Sequence, residues 1–141
     1  MTLLKTYSTL AVIVFISIIF IKCTTTVSKT KDPTFNVEVK TIQSDLKKIV
    51  TCENINLSGK EITSDGKVNS ELEISITNGK NIPTDDLELK ALGKQIASDI
   101  KKSLKDSNEY NKYTVLFVTV TTDSGVTKRH WKGNDFKSEE L

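Results

Sequence analysis

The chain has 141 residues, 37% apolar and 27% charged, which suits one folded domain and excludes a disordered acidic tail or a multi-span membrane protein. Its 20 basic and 18 acidic residues leave a net charge of +2; Lys5 and Lys22 lie in the N-terminal stretch, so the chain from residue 24 onward is neutral, which excludes a globally basic nucleic-acid binder. One histidine, His130, and two cysteines, Cys23 and Cys52, are too few for most metal centres and most histidine-based catalytic sets.

Residues 10–21 hold one serine and no charge, and Lys5 precedes them. A short apolar run behind a positive start has the shape of a secretory signal. The uncharged stretch from Thr6 to Ile21 falls short of the ~20 residues of a spanning helix. A tilted span flanked by Lys5 and Lys22 is the alternative. Cys23 follows the run and precedes Thr24, Thr25 and Thr26. A cysteine at that junction resembles the lipid-acceptor cysteine of small bacterial lipoproteins, over roughly the first 25 residues. The resemblance implies lipidation at Cys23 and a place in the cell envelope. Lys22 stands where that family carries a small residue, and cleavage after Ser28 is the competing route. Residues 1–23 are thus a signal or membrane-anchor segment. With Cys23 lipidated or removed, Cys52 has no disulfide partner and reads as a small buried hydrophobe.

Residues 24–34 contain one apolar side chain, Val27, and read as a linker. One domain is expected from 35 to 141. Val39, Ile42, Leu46, Ile49 and Val50 form a helical stripe over about 39–50, with 35–38 left open between strand and helix. Ile55 and Leu57, then Leu72, Ile74 and Ile76, alternate as strands around Asp65-Gly66, the preferred pair for a two-residue type I′ turn. Placing Ser64 opposite Lys67 sets Leu57 against Ile74 and Ile55 against Ile76, so turn and apolar pattern agree. A second helix is expected over 85–106, capped by Thr84 or Asp85, with Leu89, Leu92, Ile96, Ile100 and Leu104 on its apolar stripe. Gly93 beside that stripe would let another element approach closely. The last hairpin joins 113–121 to Val126–Trp131 through Asp123-Ser124-Gly125, read as a three-residue bulged turn with Gly125 left-handed.

The fold class is therefore α+β, in the order α-β-β-α-β-β. Two helices lie on one face of a four-stranded, largely antiparallel sheet, with strand order 2-1-3-4 preferred over 1-2-3-4. The bulged turn would pair Thr122 with Val126 and Phe117 with Trp131. Tyr113, Phe117 and Trp131 would then share the face away from the helices, with Arg129 and Lys132 at its rim. That is the one candidate binding patch, unless Phe136 and Leu141 close it. The basic run from Lys128 to Lys132 also reads as protection of an edge strand. His130 lies too far along the strand from Asp123 and Ser124 for a hydrolase triad within the hairpin. No catalytic, cofactor or metal site is expected. The expected function is a membrane-tethered, extracytoplasmic binding or structural module of the cell envelope, with the membrane and an envelope protein or glycan as partners and no nucleic acid. The alternative is a small envelope hydrolase or enzyme subunit, which a polar pocket holding His130 beside an acidic residue would favour.

Overall fold

The computed structural model describes residues 26–141. The apolar run, Cys23 and the rest of residues 1–25 lie outside the described residues. Five strands and two helices follow in the order β1 (Thr26–Thr30), α1 (Val39–Ile49), β2 (Asn54–Ser64), β3 (Lys67–Thr77), α2 (Asp86–Ser103), β4 (Lys112–Asp123) and β5 (Val126–Lys137), with a closing 3-10 turn at Ser138–Glu140. The fold is α+β with a mixed sheet in the order β1-β2-β3-β4-β5.

The first hairpin forms as its alternation demands. Asp65 and Gly66 adopt φ values of 50° and 73°, the left-handed pair of a type I′ turn. Ser64 lies opposite Lys67, Leu57 opposite Ile74 and Ile55 opposite Ile76. Ile55, Leu72, Ile74 and Ile76 are buried, so this face belongs to the core.

Two expectations are corrected at the flanks of this hairpin. Thr26–Thr30, read as linker, is a strand paired antiparallel with Lys60–Ser64. The stretch has too few apolar residues to announce itself, and its partner edge supplies the pairing. The preferred order 2-1-3-4 also fails, because β4 lies parallel beside β3, with Ile74 opposite Val115. The reason is that the outer edge of β2 is already used. Its far half pairs with β1, and at its near half the Gln43 side chain donates to the Ile55 carbonyl at 2.9 Å. The edge of β3 remains, and α2 carries the chain back to it as a βαβ crossover.

The helix from 39 begins with Glu38 as a cap that makes no side-chain bond. Before it the chain bends at Asn36 and Val37, with Phe35 bridged to Leu104, so residues 35–38 are neither strand nor helix. Asp85 caps α2, its Oδ1 accepting from the backbone N–H groups of Leu87 and Glu88 at 2.9 and 3.1 Å. That helix ends at Ser103 rather than 106, because the Ser103 carbonyl and the Lys105 N–H pair with Asn36 and Thr34. A Cβ at Gly93 would sit 3.3 Å from the Phe136 ring, so the missing side chain admits β5 beneath the helix. Ile42 and Leu46 from α1 and Ile96, Ala97 and Ile100 from α2 join β2–β4 in one core.

Candidate functional site

The register of the β4–β5 hairpin decides what the second face of the sheet presents. Ser124 and Gly125 adopt φ values of 49° and 80°, so this turn also has two residues, and Asp123 pairs with Val126. Phe117 therefore faces Lys132, and Val118 faces Trp131, one position away from the expected pairing. A one-residue slip exchanges the faces. Tyr113 and Phe117 are buried in the core under the helices, as is Phe136, which pairs with Tyr113. Lys132 lies on the helix side, with its Nζ 3.9 Å from Asp86 Oδ1. Of the expected patch, the structure brings together only Arg129 and Trp131, on the open face with Leu116 and Val118. Trp131 is 69% exposed. The physical cause is Ser124, which is left-handed together with Gly125 and so closes a two-residue turn in place of the expected three-residue bulged one.

The open face forms a shallow depression of about 670 Å³ along β3, β4 and β5. At one end lie Trp131, Arg129, Leu116 and Val118; at the other lie Glu71, Lys112, Thr114 and Asp135. Its floor is flat where Leu116 covers Gly133, since a Cβ at Gly133 would meet the Leu116 side chain at 2.6 Å.

The charged end is a connected cluster. Thr114 Oγ1 lies 2.7 Å from Glu71 Oε1 and 2.8 Å from Asp135 Oδ1. A hydroxyl has one proton, so it serves the two carboxylates in alternation. Lys112 Nζ holds them together, 2.9 Å from Asp135 Oδ2 and 3.4 Å from Glu71 Oε1. Lys60 Nζ approaches Glu71 Oε2 at 3.4 Å. Burial works to raise the Glu71 carboxyl, but the Thr114 hydroxyl, Lys112 and Lys60 together hold it below its usual 4.5. Burial opposes ionisation of Asp135 too, and the bonds from Lys112 and Thr114 prevail, below 3.8. The same carboxylates outweigh burial at Lys112 and raise its ammonium above 10.5. All three groups are thus charged at neutral pH.

None of this cluster stood out in the sequence. Glu71 is one of the wet residues of β3, and Thr114 joins Asp135 only in the true β4–β5 register. Burial of Phe136 opposite Tyr113 is the signal from which that register follows.

His130 lines an adjoining depression of about 220 Å³ with Gly79, Ile82 and Lys132, which shares Val118 and Trp131 with the first, and no carboxylate lines it. Cys52 is half-buried, and burial raises its thiol above the usual 9.0 against the opposing pull of Lys47, so it is a protonated packing residue at neutral pH. Among the described residues no group of three or more histidine, cysteine or acidic side chains is placed to hold a metal ion. No helix among them is long and apolar enough to cross a membrane.

No protein-family model, curated protein or solved structure matches this chain. The site must be read from its own chemistry.

Proposed function

We propose that this chain is a membrane-tethered binding module of the bacterial cell envelope that takes a glycan on the open face of its sheet. The observation that carries the reading is an exposed indole, Trp131, at one end of an open depression whose other end is a fixed cluster of ionised groups. An indole offers a flat apolar surface with a polar edge, which suits a sugar ring. Glu71 and Asp135 accept hydrogen bonds from hydroxyl groups, and Asn134 and Arg129 donate to them. The volume lies within the range of small-ligand sites.

Binding is favoured over hydrolysis by the charge state. A glycosidase needs one carboxyl held protonated to release the leaving group, whereas both carboxyls here are held below their usual values. Delivery to the envelope rests on the apolar run from Leu10 to Ile21 and on Cys23.

The chain has a single tryptophan, so its emission reports directly on this face. Titration with soluble fragments of envelope glycans is expected to shift that emission saturably. Trp131→Ala is expected to abolish binding in a calorimetric titration without changing the melting temperature. Emission unchanged across the whole fragment series overturns the glycan reading. Loss of an envelope protein from pull-downs with Trp131→Ala, with no glycan bound by the parent, reassigns the face to a protein partner.

A further inference from the structure

The stretch expected to hold the domain away from the membrane is spent on β1. The apolar run ends at Ile21 and β1 begins at Thr26. Even fully extended, the chain between them spans only about 17 Å. With a lipid on Cys23 the distance is about 10 Å. The point of attachment is also defined. Thr26 lies level with Ser64 and Lys67, at the tip of the β2–β3 hairpin.

That tip projects. The pairing of β3 with β4 starts at Glu71 and Ser70 is bonded to Asn111 just before β4, so Lys67–Asn69 extend past β4 and β5 as part of a three-stranded flap with β1 and the end of β2. Across one face of the flap, Val27 lies opposite Thr63 and Thr63 opposite Val68. The two valines are 46% and 53% exposed, and together with the Thr63 methyl they make an apolar row that the core does not use. Lys67 and Lys29 are exposed beside it, with stems long enough to lie along a headgroup layer. The opposite end of the sheet is distant. From Lys67 along β3 to Thr77, then from Val118 to Asp123, the strands run about 50 Å at ~3.3 Å per residue.

From the length of chain left and the row it leads into, we infer that the β1–β2–β3 flap rests on the lipid bilayer surface, with Val27 and Val68 in the interfacial layer. The β4–β5 hairpin points away from the membrane. This rests on the tethering proposed above and adds the orientation. It places the open face with Trp131 upright from the bilayer, accessible to material outside it.

The test uses the full-length chain in phosphatidylcholine vesicles containing brominated lipid, which quenches nearby tryptophan. Three single-tryptophan proteins are compared: the parent with Trp131, Asn69→Trp with Trp131→Phe, and Thr127→Trp with Trp131→Phe. Flotation is measured first. The expected result is flotation of all three, with quenching at position 69 several-fold stronger than at 127 or 131. Adding Val27→Ser and Val68→Ser to the position-69 reporter is expected to weaken its quenching while flotation persists. Flotation with equal quenching at 69 and 127, or stronger quenching at 127, overturns the orientation and leaves tethering intact. Failure of all three to float overturns both.

Discussion

The two hairpins of this sheet are built alike and read very differently. Both turn on a left-handed pair, Asp65-Gly66 and Ser124-Gly125. In β2–β3 both strands alternate, and a one-residue slip sets Leu57 or Ile55 against a wet residue. In β4–β5 only β4 is patterned. Eight consecutive residues of β5, from Val126 to Gly133, are exposed, so hydrophobicity constrains the register only at the far end of the strand, through Phe136 opposite Tyr113. Over the rest the turn decides it, and serine at the first left-handed position is an unusual choice. Register is thus encoded along the whole of one hairpin and only at the two ends of the other.

The largest effect that separates them is in the core. Ile74→Ala removes a fully buried side chain of the first hairpin and is expected to cost about 2–5 kcal/mol. Leu116→Ala, on the half-buried open face of the second, is expected to cost about 1 kcal/mol from the area lost. Equal losses in chemical denaturation would mean that the open face is covered. Next is Gly59→Ala, where the new Cβ would run into the Lys31 carbonyl and the Tyr110 ring. It is expected to cost about 1–3 kcal/mol as overpacking and to raise amide exchange in β1 above that in β5.

Acid sharpens the comparison on the second face. Glu71 and Asp135 have folded-state values below their usual 4.5 and 3.8, so their contribution is complete above those values and lost as pH falls through the folded ones. Melting temperature is expected to fall between pH 5 and pH 3, and Glu71→Gln to make the fall smaller, the loss of stability over that range shrinking by about 1.5 kcal/mol for a hydrogen bond to a charged group. Smaller still, Ser124→Asn supplies a residue suited to the left-handed position and is expected to stabilise by about 0.5 kcal/mol. Trp131→Ala is expected to change stability by less than about 0.5 kcal/mol, as an exposed substitution.

What was legible follows the same division. The helices at 39 and 86, the Asp85 cap, the Asp65-Gly66 turn and its register are local patterns or agreements between two such patterns. The order of the sheet is not local. It depends on β1, a polar strand that pairs because the edge of β2 is there, and on the side chain of Gln43. Of the candidate site, the sequence places Trp131 and Arg129 on the face they occupy, but a register wrong by one adds Tyr113 and Phe117 to it. The Glu71–Thr114–Asp135 cluster depended on the same residue count and was invisible without it. Tyr113 makes the cost concrete. It is buried with its hydroxyl lacking a well-aligned hydrogen-bond partner, and burial pushes that hydroxyl up to about 12.

The way β1 is seated also sets how the domain bears load. A pull from an anchored N-terminus acts on Thr26 along the strand axis, so the β1–β2 bonds are sheared together rather than unzipped one after another. Behind them, at the far end of the strand, the Lys31 N–H is held by the Gly59 carbonyl at 2.9 Å, and the Lys31 carbonyl accepts from the Tyr110 hydroxyl at 2.6 Å. The Lys31 ammonium lies 5.3 Å from the centre of the Tyr110 ring. Tyr110 is fully buried, so tension entering at the edge strand passes into the middle of the core. The weakest strand by sequence is the one through which drag on the molecule would be transmitted.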